Sequence, residues 1–323
     1  MEDDDGIDYV ADASIYKGDP KITSPYKGDK PVYSGESLAD PLDVSGESVA
    51  VATKTVLSSG GTYQVVPFTK FHDSLPGGAY TASMDAGILY LVPQRIISDK
   101  LFPIPNPTVD AVLKSIGDFS SEEVRLKYKE RGFVHKRGYL FYGPPGTSKT
   151  VTIKRILRMC VERHNAICVL NPHPRLINDL IQILKGMVDG KDRQIIIVLE
   201  EFEQNLQHHE DEMLNLMDGI YNNDNIVYLC STNYIDTIHD RIKSRPSRIA
   251  ELHRFDLPSD EERTTFLRFL TGVDDPEFIR ATTGMSFDQI KEVYISTSIF
   301  GIPFADVISR IRKTAPSAED CIL

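Results

Sequence analysis

The chain has 323 residues, enough for two domains with a sizeable core at roughly 100 to 200 residues each. Thirty-six basic against 47 acidic residues leave a net charge of -11, a poor match to phosphate backbones, which disfavours generic nucleic-acid binding. Hydrophobic residues make up 41%, yet the longest aliphatic run, Ile195 to Leu199, is far short of the ~18 residues of a membrane span, so no transmembrane helix is expected.

The acidity is concentrated at the start. Residues 1–60 hold 12 Asp and Glu against 5 Lys, and they are rich in Gly, Ser, Pro and Asp with no sustained period of 2 or 3.6. Such a composition cannot bury enough surface to offset chain entropy, so residues 1–61 are expected to be a disordered acidic tail. A near-repeat inside it, Tyr16-Lys17-Gly18-Asp19 and Tyr26-Lys27-Gly28-Asp29, reads as low complexity. The N-terminus has neither the basic region and apolar stretch of a secretory signal nor an Arg-rich transit character, which makes a cytoplasmic protein the expectation.

Residues 62–104 change character. Thr62 to Phe68, Ala79 to Met84 and Gly87 to Val92 are β-rich runs separated by turn residues, which predicts a short β-rich N-terminal element. Val109 to Ile116 then repeats apolar residues at helical spacing, and Ser121-Glu122-Glu123 opens a second, charged helix. From Tyr139 the pattern is strand, glycine loop, helix, repeated, which predicts a parallel sheet flanked by helices within residues 105–256. After Leu257-Pro258 the strands stop, and residues 257–315 read as three helical segments, two of them opened by capping boxes (Ser259 with Glu262, Ser286 with Gln289). Residues 316–323 are left as a tail. The four cysteines, Cys160, Cys168, Cys230 and Cys321, form no Cys-x-x-C pair, which suggests reduced thiols rather than a disulfide framework or zinc site.

The chemistry begins at Tyr139-Leu140-Phe141-Tyr142, a strand that runs into Gly143-Pro144-Pro145-Gly146-Thr147-Ser148-Lys149-Thr150 and then into the helical pattern Val151, Ile153, Ile156, Leu157. This is the P-loop spacing in its strand-to-helix context. Backbone N–H groups and the helix N-terminus cradle phosphates, Lys149 reaches the β- and γ-phosphates, and the Thr150 hydroxyl ligates Mg²⁺. Ser148 replaces the last glycine and must adopt that glycine's backbone angles. Hydrolysis also needs a metal-positioning carboxylate and a group that orients water. The apolar run from Gln194 to Leu199 ends in Glu200-Glu201, a strand followed by paired acids. Glu201 takes the place of the water-activating base, and Glu200 stands where an Asp is usual, with a side chain longer by about 1.5 Å.

These motifs and their joint spacing resemble those of AAA family ATPases over about residues 105–315. Leu214 to Gly219 is similar to the family's helix before the fourth core strand, Ile226 to Cys230 to that strand, and Ser231-Thr232-Asn233 to its sensor 1, where the Asn amide helps hold the attacking water. Asp240 to Arg248 matches the stretch that ends in the family's two arginine fingers, placed here at Arg245 and Arg248. The segment from Tyr128 to Leu140 is similar to the one before the P-loop in AAA proteins of the mitochondrial complex III assembly type, without their membrane anchor.

The resemblance implies a P-loop NTPase three-layer α/β sandwich with a five-stranded parallel sheet, a small helical lid domain at 257–315, ATP and Mg²⁺ as ligands, and a homo-oligomeric ring of about six subunits. It also implies coupling of hydrolysis to the remodelling of an unidentified protein or nucleoprotein partner. Two alternatives stay open. Either arginine could instead form a salt bridge within its own subunit, and the chain could be a nucleotide-gated assembly module with weak turnover. The stretch Asn171 to Leu176, where threading members carry an aromatic loop, has no Phe, Tyr or Trp. His173, His208 and His209 read as solvated histidines rather than metal ligands, and His135-Lys136-Arg137 as a group facing the nucleotide entrance or solvent.

Overall fold

The computed structural model describes residues 54–59, 62–67, 75–85, 88–96, 106–187, 193–218 and 224–314. Most of the expected acidic tail and all of residues 316–323 lie outside them. The chain divides into two compact units, residues 1–71 and 72–323. In the first, β1 (Lys54–Ser59) pairs antiparallel with β2 (Thr62–Pro67), Val56 opposite Val65 and Ser59 opposite Thr62. A strand therefore starts inside the stretch expected to be tail, because Thr55, Val56 and Leu57 pair with an equally β-prone strand that carries Val65 and Val66.

The second unit is built on a seven-stranded sheet. Its members are β3 (Gly78–Asp85), β4 (Ile88–Gln94), β5 (Lys136–Tyr142), β6 (Ile167–Leu170), β7 (Ile195–Leu199), β8 (Ile226–Thr232) and β9 (Glu251–Arg254), in the order β4-β3-β6-β7-β8-β5-β9. The five strands from β5 to β9 are mutually parallel, as expected. The other two correct the strand count. β3 pairs parallel with β6, Gly78 to Tyr80 opposite Ile167 to Val169, and β4 closes the edge antiparallel to β3. A buried apolar strand such as β6 cannot be left as an open edge, and β3 covers it. Tyr80 packs into the core while its hydroxyl donates to Pro76 O at 2.8 Å.

Alternation along the strands feeds two apolar layers. On one face α1 (Pro107–Phe119) and α3 (Lys149–His164) lay Val109, Val112, Ile116, Ile153 and Ile156 against Tyr139, Phe141, Ile196, Val198 and Leu229. On the other, α4 (Pro174–Gly186) and α5 (Phe202–Asp218) lay Ile177, Leu180, Leu184, Phe202 and Met213 against Leu140, Val169, Ile197, Leu199 and Tyr228. The result is a three-layer α/β sandwich. Cys160, Cys168 and Cys230 are free and buried, and burial pushes the Cys160 thiol up to about 12.

The basic trio at the start of β5, His135-Lys136-Arg137, is buried or half-buried rather than turned to an entrance or left in solvent. His135 is buried, its ring stacked on Phe119 at 3.9 Å and edge-on to Tyr128 of α2 (Glu122–Glu130). Lys136 donates to Met217 O, and Arg137 pairs with Glu251 at 2.8 Å. Each of the three side chains finds a partner from a neighbouring element, which is why the trio is structural.

After β9 come α6's successors in the chain, α6 itself being the short Asp240–Lys243 turn before that strand: α7 (Asp260–Thr271), α8 (Pro276–Ala281), α9 (Phe287–Tyr294) and α10 (Phe304–Thr314). Phe266, Phe278, Phe287, Ile290, Val307 and Ile311 form their common core. Both capping boxes form. Four helices stand where three segments are expected, because α8, six residues long and capped by Asp275, is too short for its periodicity to register.

Candidate functional site

Parallel strands bring their carboxyl ends to one edge of the sheet, the place where α/β folds bind ligands. Here that edge carries the loop after β5, Asn171 after β6, Glu200 and Glu201 after β7, and Asn233 after β8. Lys149, Thr150, Asn171, Glu200, Glu201 and Asn233 line one cleft of about 840 Å³.

The loop 143–148 is shaped by its backbone. Gly143 has φ 142° and lies so close to Phe255 that an added Cβ would stand 2.0 Å from its carbonyl oxygen; Gly146 has φ 73°, and there a Cβ would meet Ser286 Oγ at 2.6 Å. At Gly143 the clash is with backbone and excludes a side chain, whereas at Gly146 a side chain would require Ser286 to move. Ser148 takes φ 78° and ψ 12°, the left-handed conformation required of the glycine it replaces, at a cost of roughly 1–2 kcal/mol. The loop keeps its form despite the substitution. Thr147 Oγ1 ties it internally by donating to Pro144 O at 2.8 Å.

Lys149 is buried and donates to Gly143 O and Pro144 O, both at 2.7 Å. Burial lowers its pKa to about 8, against the raising influence of Glu203 and Asp288. A cation held this way is poised for an anion that can replace the two carbonyls. Glu203, buried in the first turn of α5 with no hydrogen-bond partner for Oε2 among the described residues, acts on Lys149 and was missed by sequence reasoning; its signal was a third acid two positions beyond Glu201.

Thr150 Oγ1 donates to Glu200 Oε1 at 2.6 Å, so the two candidate metal-positioning groups meet at the rim of the cleft. A hydroxyl and a carboxylate are hard oxygen donors of the kind Mg²⁺ takes alongside phosphate and water, and the longer Glu200 still reaches the threonine. Glu201 has φ 50° and its carboxylate accepts from Gln204 Nε2 at 2.5 Å. Asn171 was not singled out by sequence, yet its Oδ1 accepts the Glu200 N–H at 2.8 Å, pinning the turn that presents both acids. His173, His208 and His209 also line the cleft, the rings of His173 and His209 edge-to-face at 4.7 Å. Among the described residues no group of three or more His, Cys, Asp or Glu could hold a metal ion.

Arg245 and Arg248 are not among the cleft-lining residues. Arg248 is a correction to its sequence role. It is buried, donates Nε and Nη2 to the two oxygens of Asp218 at 2.6 Å each, and gives Nη1 to Arg241 O. Its guanidinium is consumed within its own chain, so in this arrangement it presents nothing to a neighbour. Arg245 is 58% exposed and only 3.9 Å from Asp218.

Residues 139–257 match the model of the ATPase family associated with various cellular activities (AAA). Among curated relatives, 203 residues are 27% identical to the 26S proteasome regulatory subunit 6A of Saccharomyces cerevisiae, covering 54% of this chain and 46% of that protein. The probable mitochondrial chaperone bcs1 of Schizosaccharomyces pombe is 26% identical over 208 residues, 59% of this chain and 45% of its own. The putative ribosome biogenesis ATPase nvl of Dictyostelium discoideum is 30% identical over 169 residues, 45% of this chain and 18% of its own. The chain thus spans about half or less of the length of these relatives.

Proposed function

We propose that the chain, whose residues 139–257 match the AAA ATPase family, is an ATPase of that family that binds ATP with Mg²⁺, hydrolyses it in a homo-oligomeric ring, and uses the cycle to remodel a protein or nucleoprotein partner. The observation that carries the reading is the convergence of Lys149, Thr150, Glu200, Glu201 and Asn233 on one cleft. A pure binding module has no need of that hydrolytic set.

Backbone N–H groups of the loop 143–148 and the start of α3 hold the phosphates, and Lys149 leaves its two carbonyls to pair with their charge. Thr150 and Glu200 hold the metal, which when bound screens phosphate charge and offsets the charge of the transition state. Glu201 takes a proton from water that the Asn233 amide orients. Arg245, exposed on the loop before β9, is the residue that completes a neighbour's site. Ser148 already adopts the glycine conformation, so one of the two departures that favour a weak-turnover module is accommodated by the fold. The connection from β6 to α4 is only Asn171-Pro172-His173, which offers no aromatic paddle for threading a peptide.

Phosphate release by purified protein beside Glu201→Gln, with ATP binding measured for both, tests the reading. Turnover by wild type, and binding without turnover by the variant, is the expected pair. Equal phosphate release by the two proteins would remove Glu201 from the mechanism.

A further inference from the structure

The lid does not stand clear of the phosphate loop. The first turn of α9 is seated on it: the Phe287 N–H donates to Gly146 O at 3.1 Å, and an added Cβ at Gly146 would lie 2.6 Å from Ser286 Oγ and 3.1 Å from Asp288 Oδ2. That turn is stiff. Phe287 is buried in the lid core against Phe266, and Ser286 and Gln289 close a reciprocal cap around the helix start. Asp288 is thus held by a rigid element beside the middle of the loop whose backbone cradles phosphate, and its charge acts on Lys149.

An acid in the first turn of a helix is ordinarily explained by the helix dipole, worth about 0.3–1 kcal/mol. Any helix start would satisfy that explanation. Of the two lid side chains nearest Gly146, Ser286 and Asp288, the acid is the one that carries a charge, and the charge has the same sign as the ligand the loop is built for. Glu203, which also acts on Lys149, belongs to the sheet domain rather than the lid.

We propose that Asp288 is an affinity-setting residue of the nucleotide site: its carboxylate opposes the phosphates at Gly146, so that the lid holds ATP binding weak for as long as α9 is seated on the loop. The proposal rests on reading the loop 143–150 as a phosphate site. Asp288 makes nucleotide entry and the seating of α9 compete, which links occupancy of the cleft to the position of the lid.

The test is calorimetric titration of the full chain with MgATP for wild type, Asp288→Asn, Asp288→Glu and Lys149→Ala. Asp288 is exposed, so neither substitution there disturbs the lid core. Loss of one charge a few ångströms from the phosphates should tighten binding by about tenfold in Asp288→Asn, while Asp288→Glu, which keeps the charge, should stay near wild type. A purely structural acid gives a lower thermal midpoint and no gain in affinity. Equal or weaker binding by Asp288→Asn overturns the proposal. The underlying reading is judged separately by Lys149→Ala: undiminished binding there shows that the loop is not the phosphate site, whatever Asp288 does.

Discussion

Arg248 and Asp218 form a two-pronged ion pair, Nε to Oδ1 and Nη2 to Oδ2, each at 2.6 Å. Asp218 ends α5 and Arg248 precedes β9, so the pair fastens the helix after the paired acids to the loop that carries Arg245. The hydrogen bonds from Arg248 hold the Asp218 carboxyl below its ordinary value. Its contribution is therefore present above about pH 4 and lost as pH falls through the lowered folded value.

Arg248→Lys should destabilise the protein by about 2–3 kcal/mol, since a lysine cannot reproduce the fork and Asp218 is only partly shielded from water. Denaturant unfolding at pH 7 measures it. A change within a few tenths of a kcal/mol would show that the pair contributes little.

Asn171→Ala should lower turnover by about tenfold while leaving ATP affinity unchanged. The side-chain oxygen is spent on the Glu200 N–H, and it so holds the turn in which Glu201 sits at φ 50°. A small error in the direction of a water-orienting base costs rate rather than binding. Single-turnover hydrolysis beside a binding titration separates the two. A parallel loss of affinity would instead mean that the cleft has collapsed.

How much of this was legible follows from distance along the chain. The loop 143–150 and the strand that ends in Glu200 are contiguous, so composition and spacing reveal them together. The seven-stranded sheet is not, because Gly78 to Tyr80 find their partners at Ile167 to Val169 and nothing in either segment names the other. Arg248 is the instructive case. Its position in a motif is visible in sequence, but whether its guanidinium is free depends on Asp218, thirty residues earlier, and only the packed fold decides that. Asn171 escaped notice because its role is a side-chain bond to a backbone group 29 residues on.

His135 should make stability fall on mild acidification. Burial lowers its pKa below 6.5, against the raising effect of its bond to Phe119 O at 2.9 Å. In the folded protein burial disfavours the charged ring, and Nε2 donates to the Phe119 carbonyl, whereas the unfolded chain protonates near pH 6.5. Stability is thus full above that value and declines as pH drops from it through the folded value, because the unfolded state binds the extra proton. His164, also lowered by burial, acts in the same direction. His135→Phe should keep the stack on Phe119, cost about 1 kcal/mol for the orphaned carbonyl, and flatten the slope between pH 7 and 5. An unchanged slope in unfolding measured across that range would assign the effect to other groups.

Arg245 supplies the sharpest prediction about assembly. Arg248 occupies both oxygens of Asp218, which leaves Arg245 at 3.9 Å, mostly exposed and weakly held. An arginine of that kind can serve a second subunit, and stabilising transition-state charge in this way is worth about 10³ to 10⁵ in related hydrolases. Arg245→Ala and Glu201→Gln should each be inactive alone. When mixed, an Arg245→Ala subunit still has its own Glu201 and can receive Arg245 from a Glu201→Gln neighbour, so part of the activity should return. Turnover per subunit should also rise with protein concentration as rings form. Sedimentation must show that the two variants co-assemble. If they do and no activity returns, or if a stable monomer turns over at a rate independent of concentration, Arg245 does not act across a subunit boundary.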